Sequence, residues 1–485
     1  MEKYKAENAR PNPKSTINSY RSFGYNLSTA IADIIDNSIS AKSSTISIDF
    51  LWNGLDSYIT IIDNGLGMNL DELILAMTPG SKDPEDKRDE KDLGRFGMGL
   101  KTASFSQCKR LTVVTKRKGG SLIKRCWDID FINKVEEWTL LNYISDEKFI
   151  TKFEEIENGT MVIWECLDRI VGDAKANNES VKNAFYEEMN LVRRHLSLVF
   201  HKFIEANKIK IYFQSELLEP FNPFLLQINP KPEMGQPEQF GNCEIVYYIL
   251  PHMSSIGKED YENSGGPLGW FQQQGFYVYR GDRLLVAGDW LGIEKKRDYS
   301  KLARIAVNFT NTSDFNWNLD IKKSTATPPI DIRKELSRIA RIAIMKSAKI
   351  YNWRGQKTYS NEVNQNFEPL WNDEINREGI KKYKINRKHP IILSLVKSEG
   401  KLFSRALKLL EDNVPIELIL SNQNEDPSFH ELEKCSEIPS DDLINLAVEL
   451  YNIHKLQGIP ESLAKQQIMN SIPFNLFPLI NDYLK

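Results

Sequence analysis

A change of hydrophobic period between residues 26 and 63 constrains the fold more than any other feature of this chain. In NLSTAIADIIDNSISAK, Leu27, Ile31, Ile34, Ile35 and Ile39 recur at three- and four-residue spacings, the stripe of an amphipathic helix. Asp33, Asp36, Asn37 and Ser40 fall on the other side of that helix. The period then becomes two in TISIDFLW and SYITIID, which meet around Asn53-Gly54, a hairpin signal. Further strand runs follow in LTVVTKRKGG, LIKRCWDID and GTMVIWECL. Together they predict an α+β layer with antiparallel strands on one side and helices on the other.

A second group opens with a helical pattern at roughly residues 178 to 206. It continues through KIKIYFQ, EIVYYIL, GFYVYRGDRLLV and RIAVNFT, four strand-like runs that predict a second α+β domain ending near Ile330. From IDIRKELSRIARIAIMKSAKIY onward the pattern is mainly helical, broken by a polar stretch from Gln356 to Asn366. The expected domains are residues 1–175, 176–330 and 331–485, in keeping with a chain of 485 residues that is too long for one core.

Bulk properties narrow the setting. Lys plus Arg (63) nearly balance Asp plus Glu (66), which argues against a globally polycationic nucleic-acid coat and leaves only local basic stretches, KKRDYSKLARIA and KKYKINRKH. No run approaches the roughly 18 continuous apolar residues of a membrane span, and the start MEKYKAENARPNPKS lacks the apolar core of a secretion signal. The expectation is a cytoplasmic protein with no membrane partner. Cys108, Cys126, Cys166, Cys243 and Cys435 lie far apart with no C-x-x-C pair, so neither a zinc ribbon nor a redox dithiol is indicated.

Four short motifs carry chemistry. GRFGMGLKTASF, residues 94 to 105, has the glycine separation of a P-loop, but Leu100 pushes Lys101 one residue out of register. On the first helix Asp33 and Asn37 are four residues apart and share a face. IIDNGLGM puts Asp63 at a strand end, before Gly65 and Gly67, which permit close backbone approach. NGTMVIWE places Gly159 and Thr160 at the start of a strand. Each alone has a bland reading: a solvated helix face, a turn, a flexible loop, ordinary strand material.

In order and spacing the four together resemble the Bergerat ATP-binding fold of the GHKL family, which includes gyrase B, the ninety-kilodalton heat-shock chaperones, histidine kinases and MutL. The resemblance implies an N-terminal ATPase sandwich that takes ATP and Mg²⁺. In that reading Asn37 holds Mg²⁺ through its amide oxygen. Asp63 accepts a hydrogen bond from the adenine amino group with Thr160 in support, and Gly65, Gly67 and Met68 line the same loop. The loop bearing Gly94, Gly97 and Met98 is a lid, and amides up to Gly99, Leu100 and Lys101 take the phosphates. Lys82 and Lys101 are candidates for added positive charge. Asp33 stands where most hydrolysing relatives have Glu, one methylene longer, which implies slow hydrolysis. Asp36 ranks second as the base.

The region after the ATPase resembles a transducer domain, in which a loop lysine reports the γ-phosphate; Lys322 and Lys323 of LDIKKS are the candidates. The motifs look closest to prokaryotic MORC-like ATPases over about residues 15 to 330. This implies a nucleotide-dependent homodimer acting on DNA, in a bacterial restriction or antiphage setting with companion defence proteins. A chaperone-like ATPase and an ATP-sensing scaffold with little turnover are the alternatives. Residues 331–485 show no nuclease carboxylate cluster, zinc motif or topoisomerase tyrosine, and read as a helical partner or DNA-contacting module.

Overall fold

The computed structural model describes residues 11–81, 99–252, 255–310, 317, 326–357, 370–375, 381–387, 389–412, 439, 441–456, 458–470, 474 and 477–484. The chain forms two compact units, residues 1–353 and 354–485.

In the first unit, α1 (Pro13–Arg21) and α2 (Leu27–Ser40) each begin on an asparagine, Asn12 and Asn26. Their side chains accept from the Ser15 and Thr29 amides that the helix start leaves open. Strands β1 (Thr45–Leu51) and β2 (Tyr58–Asp63) pair antiparallel, with Leu51 opposite Tyr58 and Ile46 opposite Asp63. Helix α3 (Leu70–Met77) starts with a reciprocal Asn69–Glu72 cap, and α4 (Gly99–Phe105) leads into β3 (Arg110–Lys116) and β4 (Ile123–Asp128). Then come α5 (Ile129–Val135), α6 (Lys148–Glu154), β5 (Gly159–Glu165), α7 (Glu179–Val199), α8 (His201–Glu205), β6 (Lys210–Phe213) and β7 (Glu216–Leu217).

The first sheet has the order β4-β3-β5-β2-β1-β6-β7, and every pairing is antiparallel except β1 with β6. KIKIYFQ, expected with the second group of strands, is therefore the parallel neighbour of β1. A parallel partner needs a long crossover, and the helices α7 and α8 precede β6, with α7 packed on α2. Alternation along β2 sends Ile59 and Ile61 into the large core beneath α1, α2, α3, α4, α5 and α7. Ile62 faces the other way, into a smaller core with Val114, Met161 and Ile163 closed by Phe149 and Phe153 of α6. Helices thus cover both faces rather than one.

The second sheet contains β8 (Glu233–Met234), β9 (Glu238–Phe240) and β10 (Cys243–Ile249). After the short helices α9 (Lys258–Ser264) and α10 (Gly269–Gln272) it adds β11 (Gly275–Arg280), β12 (Arg283–Asp289) and β13 (Ala303–Phe309). Its order is β12-β11-β13-β10-β8, with β9 also on β10. GFYVYRGDRLLV, read as one run, is the hairpin β11–β12. Helix α11 (Ile330–Lys357) sends Leu336, Ile339, Ala340 and Ala343 into this sheet's core.

The second unit pairs β14 (Trp371–Ile375) antiparallel with β15 (Lys381–Ile385) and carries α12 (Pro390–Asp412), α13 (Asp441–Leu456) and α14 (Glu461–Met469). Ala447, Leu450, Tyr451, Ala464 and Ile468 share a core. Helices predominate, as expected; the hairpin was not foreseen, because WNDEI and KKYKI are too polar to show a strand period. The mixed α+β class expected from the sequence is the class the chain adopts. Among the described residues no helix is long and apolar enough to cross a membrane. Cys108, Cys126 and Cys243 are buried free thiols, and Cys166 is a half-buried one.

Candidate functional site

The end of β2 is built across three strands. Asp63 stands opposite Thr160 of β5, and Thr160 stands opposite Thr115 of β3. The Asp63 carboxylate is buried, and it accepts from the Gly65 amide at 2.8 Å and from the Ser38 hydroxyl of α2 at 2.9 Å. A third hydrogen bond comes from the Thr160 backbone. Burial pushes this carboxyl above the ordinary aspartate range, against the opposing pull of the hydrogen bonds from Gly65, Ser38 and Thr160. A carboxylate offers about four acceptor positions, so one is left for a donor from outside.

The loop after Asp63 is fastened from several sides. Asn64 accepts through its side-chain oxygen from the Ser44 and Thr45 amides, each at 2.9 Å, and the Met68 amide donates to the Thr115 hydroxyl at 3.0 Å. Thr115 in turn donates to the Gly159 carbonyl at 2.8 Å and lies 3.1 Å from the Thr160 hydroxyl. Two glycines are obligatory here. Gly67 has φ +65°, and a Cβ there would lie 2.0 Å from the Lys116 carbonyl oxygen; at Gly159 (φ +149°) it would lie 1.9 Å from the Asp63 carbonyl oxygen. Gly65 is also crowded, with Ala41 and the Asp63 carboxylate 2.9 Å from an added Cβ. The motif thus brings backbone against backbone and leaves its polar groups held in fixed directions.

One turn of α2 carries the other candidates. Asn37 is exposed, whereas Asp33 is buried and accepts from the Tyr25 hydroxyl at 2.7 Å. The Asp33 carboxylate faces the start of α4, since a Cβ on Gly99 would lie 3.6 Å from Asp33 Oδ2. Asp36, the second-ranked base, is fully buried and committed to Arg283 of β12, with Nε to Oδ1 at 2.8 Å. Sequence spacing put Asp33 and Asp36 on the side of the helix opposite the apolar stripe; both are enclosed, because α4 and α7 pack against α2 as well as the sheet does.

Lys101 is also buried, and its ammonium donates to the Ala76 carbonyl near the end of α3 at 2.9 Å, a favourable place for a cation. Leu100 is half-buried beside it. Lys82, Gly94, Gly97, Met98, Lys322 and Lys323 lie outside the described residues. Sequence reasoning did not single out Ser38, Thr115, Tyr25 or Asn158, whose side-chain amide donates to the Asn64 and Gly65 carbonyls. Ser38 was within reach as the neighbour of Asn37 in DNSI; the others reach the site only through strand register and packing.

These residues fit a nucleotide and its cation. Asp63 keeps one acceptor position for an exocyclic amine. Among the described residues no group of three or more His, Cys, Asp or Glu converges as a metal cage. Mg²⁺ bound with a polyphosphate needs only one or two protein oxygens, and Asn37 offers one on an exposed helix face.

Residues 25–160 match the family model described as histidine kinase-, DNA gyrase B-, and HSP90-like ATPase. The chain is 34% identical over 91 residues to ATPase morc-1 of Caenorhabditis elegans, a stretch covering 19% of this chain and 10% of that protein. It is 25% identical over 352 residues to the DNA mismatch repair protein MutL of Thermosipho melanesiensis, covering 70% of this chain and 58% of the relative. A second MutL, from Thermotoga maritima, is 29% identical over 100 residues, covering 20% and 19%. The chain therefore spans from about a tenth to under three-fifths of these relatives' length. Among solved structures, the ATPase and transducer domains of DNA topoisomerase II from Balamuthia mandrillaris align with 13% identity and a TM-score of 0.39, over 69% of this chain and 86% of that one.

Proposed function

Since the chain carries a GHKL-type ATPase domain, we propose that it binds ATP with Mg²⁺, hydrolyses it slowly, dimerises when nucleotide is bound and acts on DNA. The observation that carries the reading is the Asp63 corner, a buried carboxylate with three fixed hydrogen bonds and one acceptor position left for the adenine amino group. Asn37 is assigned to Mg²⁺, which when bound neutralises phosphate charge. Asp33 is assigned to orient and deprotonate the attacking water, and Tyr25 holds its carboxylate in place. Backbone amides at Gly99 and Leu100 are assigned to the phosphates, while the Lys101 ammonium anchors α4 to α3. Lys82, the glycines of the lid, and Lys322 or Lys323 complete the proposed closed state. Titration calorimetry of ATP into the parent and Asp63→Asn proteins tests the assignment, and equal affinities would refute it.

The DNA reading is supported by the two relatives named as DNA mismatch repair proteins. The resemblance to prokaryotic MORC-like proteins extends it to a restriction or antiphage setting with companion proteins. Sedimentation with a non-hydrolysable ATP analogue, with and without DNA, is expected to show a dimer whose DNA binding weakens with salt. Persistence of parent-like dimerisation in both Lys322→Ala and Lys323→Ala would remove the γ-phosphate sensor from the scheme.

A further inference from the structure

Asp36 and Arg283 are 247 positions apart and meet in an ion pair whose side chains are 0% and 6% exposed. Arg283 opens β12 just after the hairpin turn; its guanidinium lies 4.9 Å from the centre of the Phe200 ring and donates to the Leu284 carbonyl through Nη1. Phe200 is itself fully buried at the junction of α7 and α8, and α7 packs on both α2 and β12. Helix α7, which ends at Phe200, therefore bridges β12 to the helix that carries Asp36.

A buried pair of this kind is a poor source of net stability, because desolvating two charges offsets their attraction. What it supplies is direction: the Nε–Oδ1 bond is short only when β12 stands in one position relative to α2. Asp36 is three residues after Asp33 and adjacent to Asn37, so it shares the helical turn to which the base and the Mg²⁺ ligand are assigned. We infer that Arg283 is a positioning residue for ATP hydrolysis, acting through Asp36 to hold that turn in register. The inference rests on the nucleotide reading above. It makes the second sheet part of the hydrolytic geometry, because a shift of β12 would pull on the turn of α2.

The test compares Arg283→Gln, Arg283→Lys and the double change Asp36→Leu/Arg283→Leu with the parent, reading melting temperature, ADP affinity, kcat and KM. Arg283→Gln takes the guanidinium charge away from the buried Asp36 carboxylate, so both melting temperature and kcat should fall. The double variant removes both charges and should regain melting temperature, yet its kcat should stay about tenfold below the parent with KM little changed, because a misplaced catalytic group costs rate. Arg283→Lys, which keeps the charge and loses the planar donor, should fall between. Return of kcat together with melting temperature in the double variant would overturn the inference and leave a purely structural pair. Amide hydrogen exchange supplies a second measurement that needs no turnover: residues 33–37 should exchange faster in all three variants, and unchanged exchange there would also overturn it. Failure of the parent to bind ATP in calorimetry would instead sink the nucleotide reading, and the exchange comparison would still decide whether Arg283 holds the turn.

Discussion

The end of β2 and the middle of the second sheet both bury a charge, and they do so in opposite ways. Asp63 is met by two backbone amides and a hydroxyl, on a loop whose glycines bring main chain against main chain. Arg304 of β13 is 0% exposed and lies near the rings of Trp270 and Tyr277, at 5.5 and 5.8 Å from their centres. Its Nη1 donates to the Pro223 carbonyl, while Nε and Nη2 make no hydrogen bond among the described residues. Burial alone therefore does not mark a binding site. A buried charge held by directional hydrogen bonds with acceptor capacity left over points to a ligand, whereas one covered by aromatic rings is part of the core.

The largest effect expected concerns the nucleotide end. Asp33→Ala should lower phosphate release by about a hundredfold or more while calorimetry still shows ATP binding. Asn37→Ala should in addition lose the Mg²⁺-dependent part of binding. Turnover that survives in Asp33→Ala would place the base elsewhere. Asp36 is then no longer the obvious substitute, because its carboxylate is paired with Arg283.

The next effect concerns the junction between the layers. His195 of α7 lines a cavity of ≈ 640 Å³ with Arg283 and Leu284. Burial, and then the nearby Arg283 charge, push its pKa down from 6.5 to about 4. The folded protein thus keeps this imidazole neutral where the unfolded chain protonates it. Its contribution is complete above pH 6.5 and is lost as pH falls toward 4, by up to about 3 kcal/mol. Denaturant titrations over that range should show the slope, and His195→Gln should flatten it; an identical slope in the variant would assign the pH dependence to other groups.

Asp63→Asn presents a donor to a donor and should cost about 1 to 3 kcal/mol of ATP affinity. In the parent, affinity should decline on acidification at a higher pH than an ordinary aspartate would give, since burial raises this carboxyl and protonation removes an acceptor. A flat affinity profile through the carboxylate range would count against Asp63 as the adenine acceptor. The smallest effect belongs to the second sheet: Arg304→Met should leave ATP affinity unchanged within error, whatever it does to melting temperature. A marked loss of affinity would collapse the distinction between the two buried charges.

Particular elements show where sequence reading stops. The stripe Leu27, Ile31, Ile34, Ile35 locates α2, and alternation locates β1, β2, β3 and β5, because each element is specified by side chains within one short window. The same alternation in KIKIYFQ announces β6 without naming β1 as its neighbour. Polar positions were legible by residue type and not by partner. Asp36, ranked second as the base, and Lys101, a candidate for added positive charge, are both enclosed, with partners contributed by β12 and by α3.

The sequence by itself determined the α+β class, the helix with Asp33 and Asn37, and the Asp63-to-Met68 loop with Gly67, whose positive φ and contact with Lys116 admit no side chain. These depend on local period and local stereochemistry, which a single segment carries whole. Only the tertiary structure decided that Ser38 and Thr115 converge on Asp63 or its loop, that Tyr25 holds Asp33, and that Arg283 reaches Asp36 across 247 residues. Those contacts are set by strand register and by which layers share a core, and the free energy that fixes them comes from burying surfaces distant in the chain.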